Sequence, residues 1–435
     1  MKVGIVGAGW AGMAAAVCAI QAGHTVSVYE SSRSLGGRAR SLAATLPDGA
    51  PVLLDNGQHI LIGAYRETLR LMRLVGVSPE DALLRLPLTL LFADGRGLRF
   101  PRRAAPLDAV FGIVFARGWN MADKTCLLLL AARWRMAGFT CPAAMSVASL
   151  CGALTPRVMR ELVEPLCVSA LNTPADRASG QVFLRIMRDS VLGASGDSNL
   201  LLPRIDLSGL FPAAAASWLT QQGASIRLGE RAHTVTPVGA LWCIDGAPYD
   251  LVVLATSAPD AVHVLAAAMP SSVAPTAQQL GQWIAVAGAL RHEAITTVYA
   301  WGRGATLAHP MLALRSGLGH GTSLPAQFVF DRGQLGGPAG LLAFVVSASL
   351  GSRETLQQQV LAQAKVQLGL GLQPVQTVVE KRATFACTPG LQRPAMHIAP
   401  GLLACGDYVD GPYPSTLEGA VRSGIAAIQS SGSVS

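Results

Sequence analysis

The sequence predicts an α/β protein with a Rossmann-like, dinucleotide-binding domain and a second, mixed α+β domain. Two stretches carry this prediction. The chain opens on "KVGIVGAGWAGMAAAVCAIQAGHTVSVYE" (2–30), which has the order strand, glycine turn, helix, strand. A nearly continuous apolar run, "YDLVVLATSAP" (249–259), is typical of a strand buried in a parallel sheet. The length of 435 residues is sufficient for two domains.

The glycine turn near the start predicts a dinucleotide site. Gly7, Gly9 and Gly12 have the spacing G-x-G-x-x-G, with Ala11 inside the motif. Gly7 allows the tight turn, Gly9 lets the backbone approach a pyrophosphate, and Gly12 lets the helix pack on the strand. The helix N-terminus attracts phosphates. Glu30 ends the second strand, where its carboxylate can accept hydrogen bonds from a ribose. Because all these parts are in register, we prefer this interpretation to a merely structural turn.

A second pair of glycines indicates which dinucleotide is bound. The stretch "SLGGRARS" (34–41) contains Gly36, Gly37 and Arg38. It suits a second close approach of the backbone, with Arg38 near phosphates, and the alternative is a surface loop with an incidental arginine. The pattern resembles the flavoprotein superfamily of amine oxidases and phytoene desaturases. That resemblance implies FAD as the cofactor and a three-segment FAD-binding domain of the glutathione reductase type.

The far end of the chain is similar to the same flavoproteins. The stretch "GLLACGDYVDGPYPSTLEGAVRSG" (401–424) predicts a strand, a loop and a helix that begins near Thr416. The resemblance implies that Gly406 and Asp407 meet the ribityl-pyrophosphate of FAD. It also implies that the helix N-terminus, at Thr416 and Leu417, faces the N1/O2 edge of the flavin. There the helix dipole would stabilise negative charge on the reduced ring.

The segments divide into two predicted domains. The FAD-binding domain comprises residues 1–80, 203–260 and 390–435, and the substrate domain comprises residues 81–202 and 261–389. Within the first of these, the resemblance implies that Ala232, which follows "GER", contacts adenine through its backbone. The first substrate segment is helical by pattern, at 121–139 and 156–171. The second has strand-like runs at 296–302 and 340–350.

One segment of the substrate domain has the composition of a membrane contact. Residues 94–135 hold eight basic and three acidic residues, interleaved with five Phe and Trp. A basic, aromatic-rich stretch is what a monotopic contact uses, so we expect residues 94–140 to include one. The alternative, an ordinary solvated helical face over a core, stays open. The most apolar window, at 126–134, is too short to span a bilayer.

Composition excludes other classes of function. Hydrophobic residues make up 51% of the chain, and mean hydropathy is +0.39, which fits an apolar cavity or bilayer contact. The net charge of +8 comes without a Lys/Arg run, so we expect no nucleic-acid partner. The eight cysteines lack metal-ligand spacing and indicate reduced thiols and no metal. Because the first strand begins at Lys2, we expect no signal peptide and a cytoplasmic protein, peripheral at the inner face of the membrane if it binds lipid.

More specific motifs narrow the resemblance. They are "LLDNGQHILIGAYRETLRLM" (53–72), "ALNTPADRASGQVFLRIMRDS" (170–190), "KRATFACTPGLQRP" (381–394) and "PSTLEGAVRSG" (414–424). This ordered set, spread over nearly the whole chain, resembles the hydroxysqualene dehydroxylase family, the squalene-associated FAD-dependent desaturases of bacterial hopanoid pathways. In "CGDYVDGPYPST" the chain departs from these relatives, which more often have Ala before Gly-Asp and Trp after it. The resemblance implies reduction of 12-hydroxysqualene, a C30 isoprenoid, to squalene.

That reaction makes chemical demands on the residues. Hydroxide leaves an allylic carbon only with a proton donor, and the resulting cation needs a hydride from N5 of reduced flavin and protection from water. By resemblance Gly57, Gln58 and His59 skirt the flavin. His59 is a candidate for the acid, because an imidazole can carry a proton near neutral pH, and a purely structural role is the alternative. The other candidates are Asp55, which would orient or charge His59, and Tyr408, Asp410 and Tyr413, which would approach from the other side.

Three other functions remain as alternatives. Isoprenoid or carotenoid desaturation shares the cofactor, fold and tunnel but uses the flavin as an oxidant. Amine oxidation is disfavoured, because Thr416 stands where that subfamily usually has an aromatic residue. A non-catalytic prenyl-lipid carrier would have no reason to keep every FAD motif. The electron donor, NADPH docked transiently or a reductase partner, and the oligomeric state are left open, since the single dinucleotide fingerprint is used by FAD.

Overall fold

The computed structural model describes residues 1–191, 193–319 and 322–431. A six-stranded sheet forms the centre of the nucleotide-binding part. Five strands run parallel, and the last pairs antiparallel at one edge. The order across the sheet is Ser225–Leu228, Thr25–Glu30, Lys2–Val6, Leu251–Leu254, Leu402–Ala404, His397–Ala399. The predicted Rossmann-like fold is confirmed, because the apolar runs of the first and central strands are buried as expected.

The two helices that follow glycine-containing loops pack against each other beside this sheet. The first helix, Trp10–Gln21, is buried along most of its length, and the C-terminal helix is Leu417–Ser431. A Cβ atom added at Gly424 would lie 2.2 Å from the carbonyl oxygen of Ala11. The two backbones therefore touch, and only glycine allows that approach. This contact fixes the C-terminal helix against the first glycine turn.

A second sheet has five strands, all antiparallel. Its order is Met311–Ala313, Phe328–Asp331, Leu341–Ser347, His292–Trp301, Gln373–Phe385. Side chains alternate across it, as a strand requires. Val298 and Ala300 belong to a cluster under the helix Arg353–Leu368. Tyr299 belongs to the larger core that also contains Leu54. The face that carries Thr297 and Tyr299 therefore points toward the nucleotide-binding part.

A helical region completes the molecule. Its α-helices are Leu107–Val114, Met121–Met136, Val147–Leu150, Pro156–Val158, Glu164–Leu171 and Gly180–Ile186. Two π-helical turns, Met159–Val163 and Met187–Val191, interrupt the run. The helix predicted over 121–139 is present, while the one predicted over 156–171 contains the first π turn. The inner faces of these helices join the same large core as the second sheet.

Smaller elements connect these parts. The remaining strands are Ser41–Thr45, Pro51–Asp55, Leu61–Ile62, Leu83–Leu86, Thr89–Leu91, Gly97–Arg99, Leu200–Pro203, Val235–Val238, Leu241–Ile244, Ala247–Tyr249, Gly317–Gly319 and Thr322–Leu324. The remaining α-helices are Arg66–Leu74, Pro79–Ala82, Leu207–Leu210, Pro212–Gln221, Ala258–Ala268 and Ala274–Gly288, and the 3-10 turns are Met269–Ser271 and Gly333–Leu335. The division into two domains at the predicted boundaries stays a prediction.

Two sequence-based expectations concern the cysteines and the presence of a membrane-spanning helix. All eight cysteines are free thiols, as predicted, and five of them are buried. Within the described residues, no helix combines the length and the apolar character needed to cross a membrane.

Candidate active site

The first glycine turn has the geometry that its sequence predicts. Gly7 has φ +110°, in the region that favours glycine, and a Cβ there would lie 2.6 Å from the carbonyl oxygen of Ala255. A Cβ at Gly12 would lie 1.9 Å from the carbonyl oxygen of Gly7, so the helix sits directly on the turn. At Gly9 the nearest heavy atom would be 4.0 Å away. Gly7 and Gly12 are therefore needed by the fold itself, whereas Gly9 leaves room above the backbone.

The second glycine pair lies against the first turn. The N–H of Gly36 donates to the carbonyl of Ala8 at 3.0 Å, and Gly9 and Gly36 form an isolated parallel bridge. A Cβ at Gly37 would lie 3.3 Å from Cα of Gly9. The two glycine loops therefore meet backbone to backbone, which places Gly37 beside the predicted pyrophosphate site.

Glu30 closes the other side of this turn. Its carboxylate accepts hydrogen bonds from the N–H groups of Ala8 and Ser32, each at 2.8 Å. Oε1 also accepts from the hydroxyl of Ser31 at 3.4 Å, whereas Oε2 accepts one bond and, with two acceptor positions, retains capacity for a ribose hydroxyl. The backbone N–H of Glu230 donates to the carbonyl of Glu30 at 3.0 Å, and Ala232 follows two residues later, buried. Glu30 and Ala232, predicted to hold ribose and adenine, thus lie on neighbouring backbones.

Arg38 joins the N-terminal and C-terminal motifs. Its guanidinium forms a hydrogen-bonded ion pair with the carboxylate of Asp407 and donates to the carbonyl of Ala383 at 2.6 Å. The charge of Asp407 raises the pKa of Arg38 above its usual range. The arginine is therefore engaged with protein groups, and its predicted contact with phosphates stays a prediction.

The segment after Asp407 prepares the start of the C-terminal helix. The N–H of Gly406 donates to Oγ of Ser423 at 2.8 Å, which ties the Gly-Asp turn to the helix. Oγ1 of Thr416 accepts from the N–H of Gly419 at 2.9 Å, so Thr416 caps the helix that begins at Leu417. The predicted helix start near Thr416 is confirmed.

Glu418 anchors the same helix, and the sequence analysis missed it. The carboxylate is fully buried and accepts from the N–H and the hydroxyl of Thr68 at 2.9 and 2.8 Å. It also accepts from the N–H of Glu67 at 3.2 Å and from Nε of Arg422 at 2.6 Å. Because Thr68 lies in the first turn of the helix Arg66–Leu74, Glu418 satisfies the free N–H groups of that helix. It thereby fixes the position of Leu417 and the helix N-terminus.

The D-N-G-Q-H loop, which comprises residues 55–59, lies between the two sheets. Nδ2 of Asn56 donates to the carbonyl of Arg38 at 3.1 Å and to Oε2 of Glu380 at 3.2 Å. The hydroxyl of Tyr299 donates to the carbonyl of Asp55 at 3.0 Å. These bonds attach the loop to the second glycine pair on one side and to the antiparallel sheet on the other. The loop therefore belongs to the surface where the two parts of the molecule meet.

Three further residues around this loop were not predicted. The buried Arg332 donates to Oε1 of Gln58 at 3.4 Å and to the carbonyl of Pro203 at 3.3 Å. Thr297 places its hydroxyl 3.8 Å from where a Cβ of Gly57 would be. Tyr299 is the third. None of these residues stands in a recognisable local motif, and only the pairing of distant strands brings them to the loop.

The surroundings of His59 disfavour the protonated imidazole. Burial lowers the pKa of His59 below its usual range, and the charge of Arg38 acts in the same direction. Nδ1 lies 2.9 Å from the carbonyl of Gly57, so Nδ1 carries the proton and donates. A neutral His59 therefore has Nε2 as an acceptor, and it acts as an acid only after taking up a proton there.

Asp55 does not orient His59 in the expected way. Its carboxylate accepts from the N–H of Leu207 at 2.8 Å, at the start of the short helix Leu207–Leu210. Burial raises the pKa of Asp55 to about 6, because a charged carboxylate is poorly solvated there. The surroundings of Asp55 therefore favour the protonated carboxyl group more than water does.

Asp410 and Tyr408 lie in contrasting surroundings, one exposed and the other buried. The side chain of Asp410 is 73% exposed and pairs with Arg393 at 3.0 Å, at the edge of an open cavity of about 1000 Å³. A solvated carboxylate paired with arginine is a poor acid for a water-free site, so this expectation is wrong. Tyr408 is buried with its ring against Trp283, and burial raises the pKa of its phenol well above the usual range. Tyr413 lines a smaller cavity of about 260 Å³.

The hydroxyls of Thr297, Ser415 and Tyr408 are buried without a hydrogen-bond partner among the described residues, and the first two indicate that the site fits FAD. Ser415 has φ +57°, and its N–H donates to the carbonyl of Asp407 at 3.2 Å. An unpaired buried hydroxyl is unfavourable unless a bound group supplies its partner. The hydroxyl of Thr297 lies beside the D-N-G-Q-H loop and that of Ser415 beside the C-terminal helix start, where the sequence predicts the flavin.

The L-N-T-P motif, which comprises residues 171–174, connects the helical region to the antiparallel sheet. Asn172 is buried and ends the helix Glu164–Leu171 with φ +46°. Its Nδ2 donates to Oγ1 of Thr384 at 3.0 Å and to the carbonyl of Glu293 at 3.3 Å. Its Oδ1 accepts from the N–H of Ala348 at 2.6 Å. One side chain thus attaches the helical region to three strands or strand ends of the antiparallel sheet.

Known proteins are similar to this chain in sequence. The family model described as "Flavin containing amine oxidoreductase" matches residues 10–429. Hydroxysqualene dehydroxylase from Rhodopseudomonas palustris is 27% identical, and the alignment covers 97% of this chain and 96% of that protein. The enzyme of the same name from Sinorhizobium fredii is 25% identical over the same shares. Zeta-carotene desaturase from Capsicum annuum is 36% identical, but over only 28% of this chain and 21% of that protein.

Solved structures show the same fold. An oxidoreductase from Methanosarcina mazei superposes with a TM-score of 0.71 at 16% identity, covering 99% of this chain and 100% of that one. Cyclohexylamine oxidase from Brevibacterium oxydans superposes with a TM-score of 0.66 at 16% identity, covering 99% and 98%. At such identities the similarity concerns the fold alone.

Proposed function

This chain belongs to the family of flavin-containing amine oxidoreductases and is an FAD-dependent oxidoreductase, and from that premise we propose that it converts 12-hydroxysqualene to squalene. One observation carries the proposal. The two proteins named hydroxysqualene dehydroxylase match over nearly their whole length and nearly all of this chain. The substrate-binding regions are therefore included in the match, and not only the nucleotide-binding motifs.

The chain's own residues supply several needs of this reaction. Reduced FAD, when bound, supplies the hydride that replaces the hydroxyl group. Departure of the hydroxyl group requires a proton, and Asp55 is buried with a pKa of about 6. In this proposal we therefore assign proton delivery to Asp55.

Three buried polar side chains at the D-N-G-Q-H loop would protect a cationic reaction centre from water. Asp55, Tyr299 and Arg332 are 2%, 1% and 7% exposed. Their hydrogen bonds hold the D-N-G-Q-H loop closed against the antiparallel sheet. Water that could capture an allylic cation is thereby kept from this side of the site. The apolar composition of the chain suits a C30 isoprenoid substrate.

The electron donor is NADPH or a reductase in this proposal. The sequence contains one G-x-G-x-x-G fingerprint followed by a strand that ends in an acidic residue, and we assign it to FAD. A nicotinamide donor would therefore bind transiently at another surface, or a protein partner would deliver the electrons.

A second candidate function is desaturation of an isoprenoid carbon–carbon bond. The local similarity to zeta-carotene desaturases favours it, because it exceeds the similarity to the dehydroxylases in identity. The alignment with the desaturase, however, covers only about a quarter of this chain. The two functions differ in the direction in which the flavin is used, and that difference can be measured.

The test uses the purified holoenzyme, reduced anaerobically in deuterium oxide and mixed with 12-hydroxysqualene. Flavin absorbance and product mass are followed together. We expect one squalene, carrying one deuterium, for each flavin that is reoxidised. Reduced flavin that persists beside unchanged alcohol would overturn the proposal. The oxidised holoenzyme would then be given isoprenoids with saturated bonds, and flavin reduction by them would establish the desaturase.

A further inference from the structure

The helix Met121–Met136 has an apolar face that no described residue covers. Met121, Leu129 and Met136 are 73%, 62% and 80% exposed. At 3.6 residues per turn, these three side chains fall within about 80° of one another around the helix axis. The opposite face is buried in the large core through Leu127, Leu130 and Trp134. Ala132 and Thr125 also lie within this arc, and the hydroxyl of Thr125 donates back to the carbonyl of Met121, so the exposed face is mainly apolar along the four turns of the helix.

Cations flank this face on both sides. Lys124 and Arg135 lie about 60° and 40° before its first edge, and Arg133 lies about 40° beyond its other edge. None of the three forms an ion pair with any residue that the structure describes. Long basic side chains at the edges of an apolar face can keep their charges in a polar layer while the face is buried.

The neighbouring helix Leu107–Val114 extends the apolar surface. Leu107 and Val114 are 51% and 42% exposed, and Phe115, just after the helix, is 71% exposed. The ring of Phe115 stacks on Phe111, with centroids 6.0 Å apart. The guanidinium of Arg103 lies 4.4 Å from the centroid of Phe111, which again places a cation at the edge of an apolar group.

The acidic residues of this segment do not offset the surface charge. Asp123 is buried, where it caps the helix through Asn120 and accepts from Oγ1 of Thr155. Asp108 is buried and accepts from the N–H of Ala109. Asp94 pairs with Arg315 at 2.8 Å. The outward charge is therefore positive.

We propose that this two-helix surface, formed by the exposed side chains of residues 102–136, docks on an anionic lipid bilayer. Apolar side chains would enter the region between head groups and acyl chains, and the flanking Lys and Arg would contact lipid phosphates. A second copy of the chain fits less well, since a symmetric contact would bring two positive surfaces together. The inference rests on this surface alone, so it holds whether or not the substrate is hydroxysqualene.

The experiment is co-sedimentation of the FAD-loaded protein with vesicles of phosphatidylcholine alone or mixed equally with phosphatidylglycerol. We expect the protein to bind the mixed vesicles at least about tenfold more tightly, and to lose this preference in high salt. The variant F115S/L129S/M136S should bind the mixed vesicles at least about tenfold more weakly, with unchanged flavin content and melting temperature. The variant R133E/R135E should lose the preference for anionic lipid.

Matched controls use similar residues on other surfaces. Val273, Leu350 and Val366 are 70%, 84% and 76% exposed, so V273S/L350S/V366S removes comparable apolar surface. R303E/R353E repeats the charge change at exposed positions elsewhere. Both controls should bind vesicles like the wild type. Failure of the wild type to bind mixed vesicles would overturn the proposal, as would equal losses in the controls. If the serine variant instead converts an oligomer to a monomer without a change in vesicle binding, the surface is a protein interface.

Discussion

Arg38 of the second glycine loop pairs with the carboxylate of Asp407, which lies 369 residues later in the chain. The pair connects the two motifs that predict opposite ends of one cofactor site. It also reaches the antiparallel sheet, because Arg38 donates to the carbonyl of Ala383. A single guanidinium thus holds together three segments around the predicted pyrophosphate site.

The first prediction concerns this ion pair. Asp407→Asn removes the negative charge while keeping the shape of the side chain. We expect the dissociation constant of FAD to rise by about tenfold to a hundredfold, because the ion pair becomes a weaker hydrogen bond from charged Arg38 to a neutral acceptor. Titration of FAD into the apoprotein, followed by flavin fluorescence, measures this.

Asp410→Asn is the matched control for that experiment. Asp410 also pairs with an arginine, Arg393, but its side chain is exposed. Its substitution should change FAD affinity by less than about twofold, in line with the small contribution of exposed ion pairs. Equal losses in the two variants would show that the Arg38–Asp407 pair has no special role.

The second prediction separates the glycines of the first turn. Gly12→Ala places a Cβ 1.9 Å from the carbonyl oxygen of Gly7, so the helix must shift, and the apoprotein should lose about 3 kcal/mol or more of unfolding free energy. Gly9 has φ −75° and a nearest neighbour at 4.0 Å, so Gly9→Leu should fold normally. It should nevertheless fail to bind FAD, because its side chain occupies the approach to the backbone. Thermal unfolding of both apoproteins and their flavin content are the measurements, and a yellow, active Gly9→Leu protein would contradict the placement of the pyrophosphate.

How far the site could be predicted depends on where each contact lies along the chain. The turn at Gly7–Gly12 and the strand that ends at Glu30 are local, and their spacing alone predicts the geometry. Thr297 and Arg332 reach the D-N-G-Q-H loop only through the pairing order of the antiparallel sheet, which no local pattern encodes. The lowered pKa of His59 has the same origin, because burial by distant segments decides it.

The L-N-T-P motif illustrates a different limit. Its specificity for one family suggests a role in catalysis, but its side chains join the helical region to the antiparallel sheet. Asn172 makes its hydrogen bonds with residues more than a hundred positions away, such as Ala348 and Thr384. A motif of this kind can be recognised from the sequence, whereas its structural role depends on distant residues that the sequence does not bring together.

The third prediction tests that connection. Asn172→Ala leaves the N–H of Ala348 and the hydroxyl of Thr384 without their partner in a buried place. We expect a loss of about 2–4 kcal/mol of unfolding free energy, measured by urea titration of the holoenzyme. Asn120→Ala makes the same exchange at an exposed helix cap and should lose about 1 kcal/mol. A loss at Asn172 no larger than that at Asn120 would show that the connection is unimportant for stability.

The fourth prediction follows from the raised pKa of Asp55. Its carboxyl has a pKa of about 6 in the folded protein and an ordinary value of 3.8, so the folded state binds more protons between those values. Stability must therefore fall as pH rises through this window, by up to about 3 kcal/mol from this group. Asp55→Asn keeps an acceptor for the N–H of Leu207 and removes the charge. The variant should gain stability relative to the wild type as pH rises from 4 to 7, in urea titrations at each pH. A constant difference across that range would mean that Asp55 is solvated and ionised in the folded protein, and proton delivery would then have to be assigned to another group.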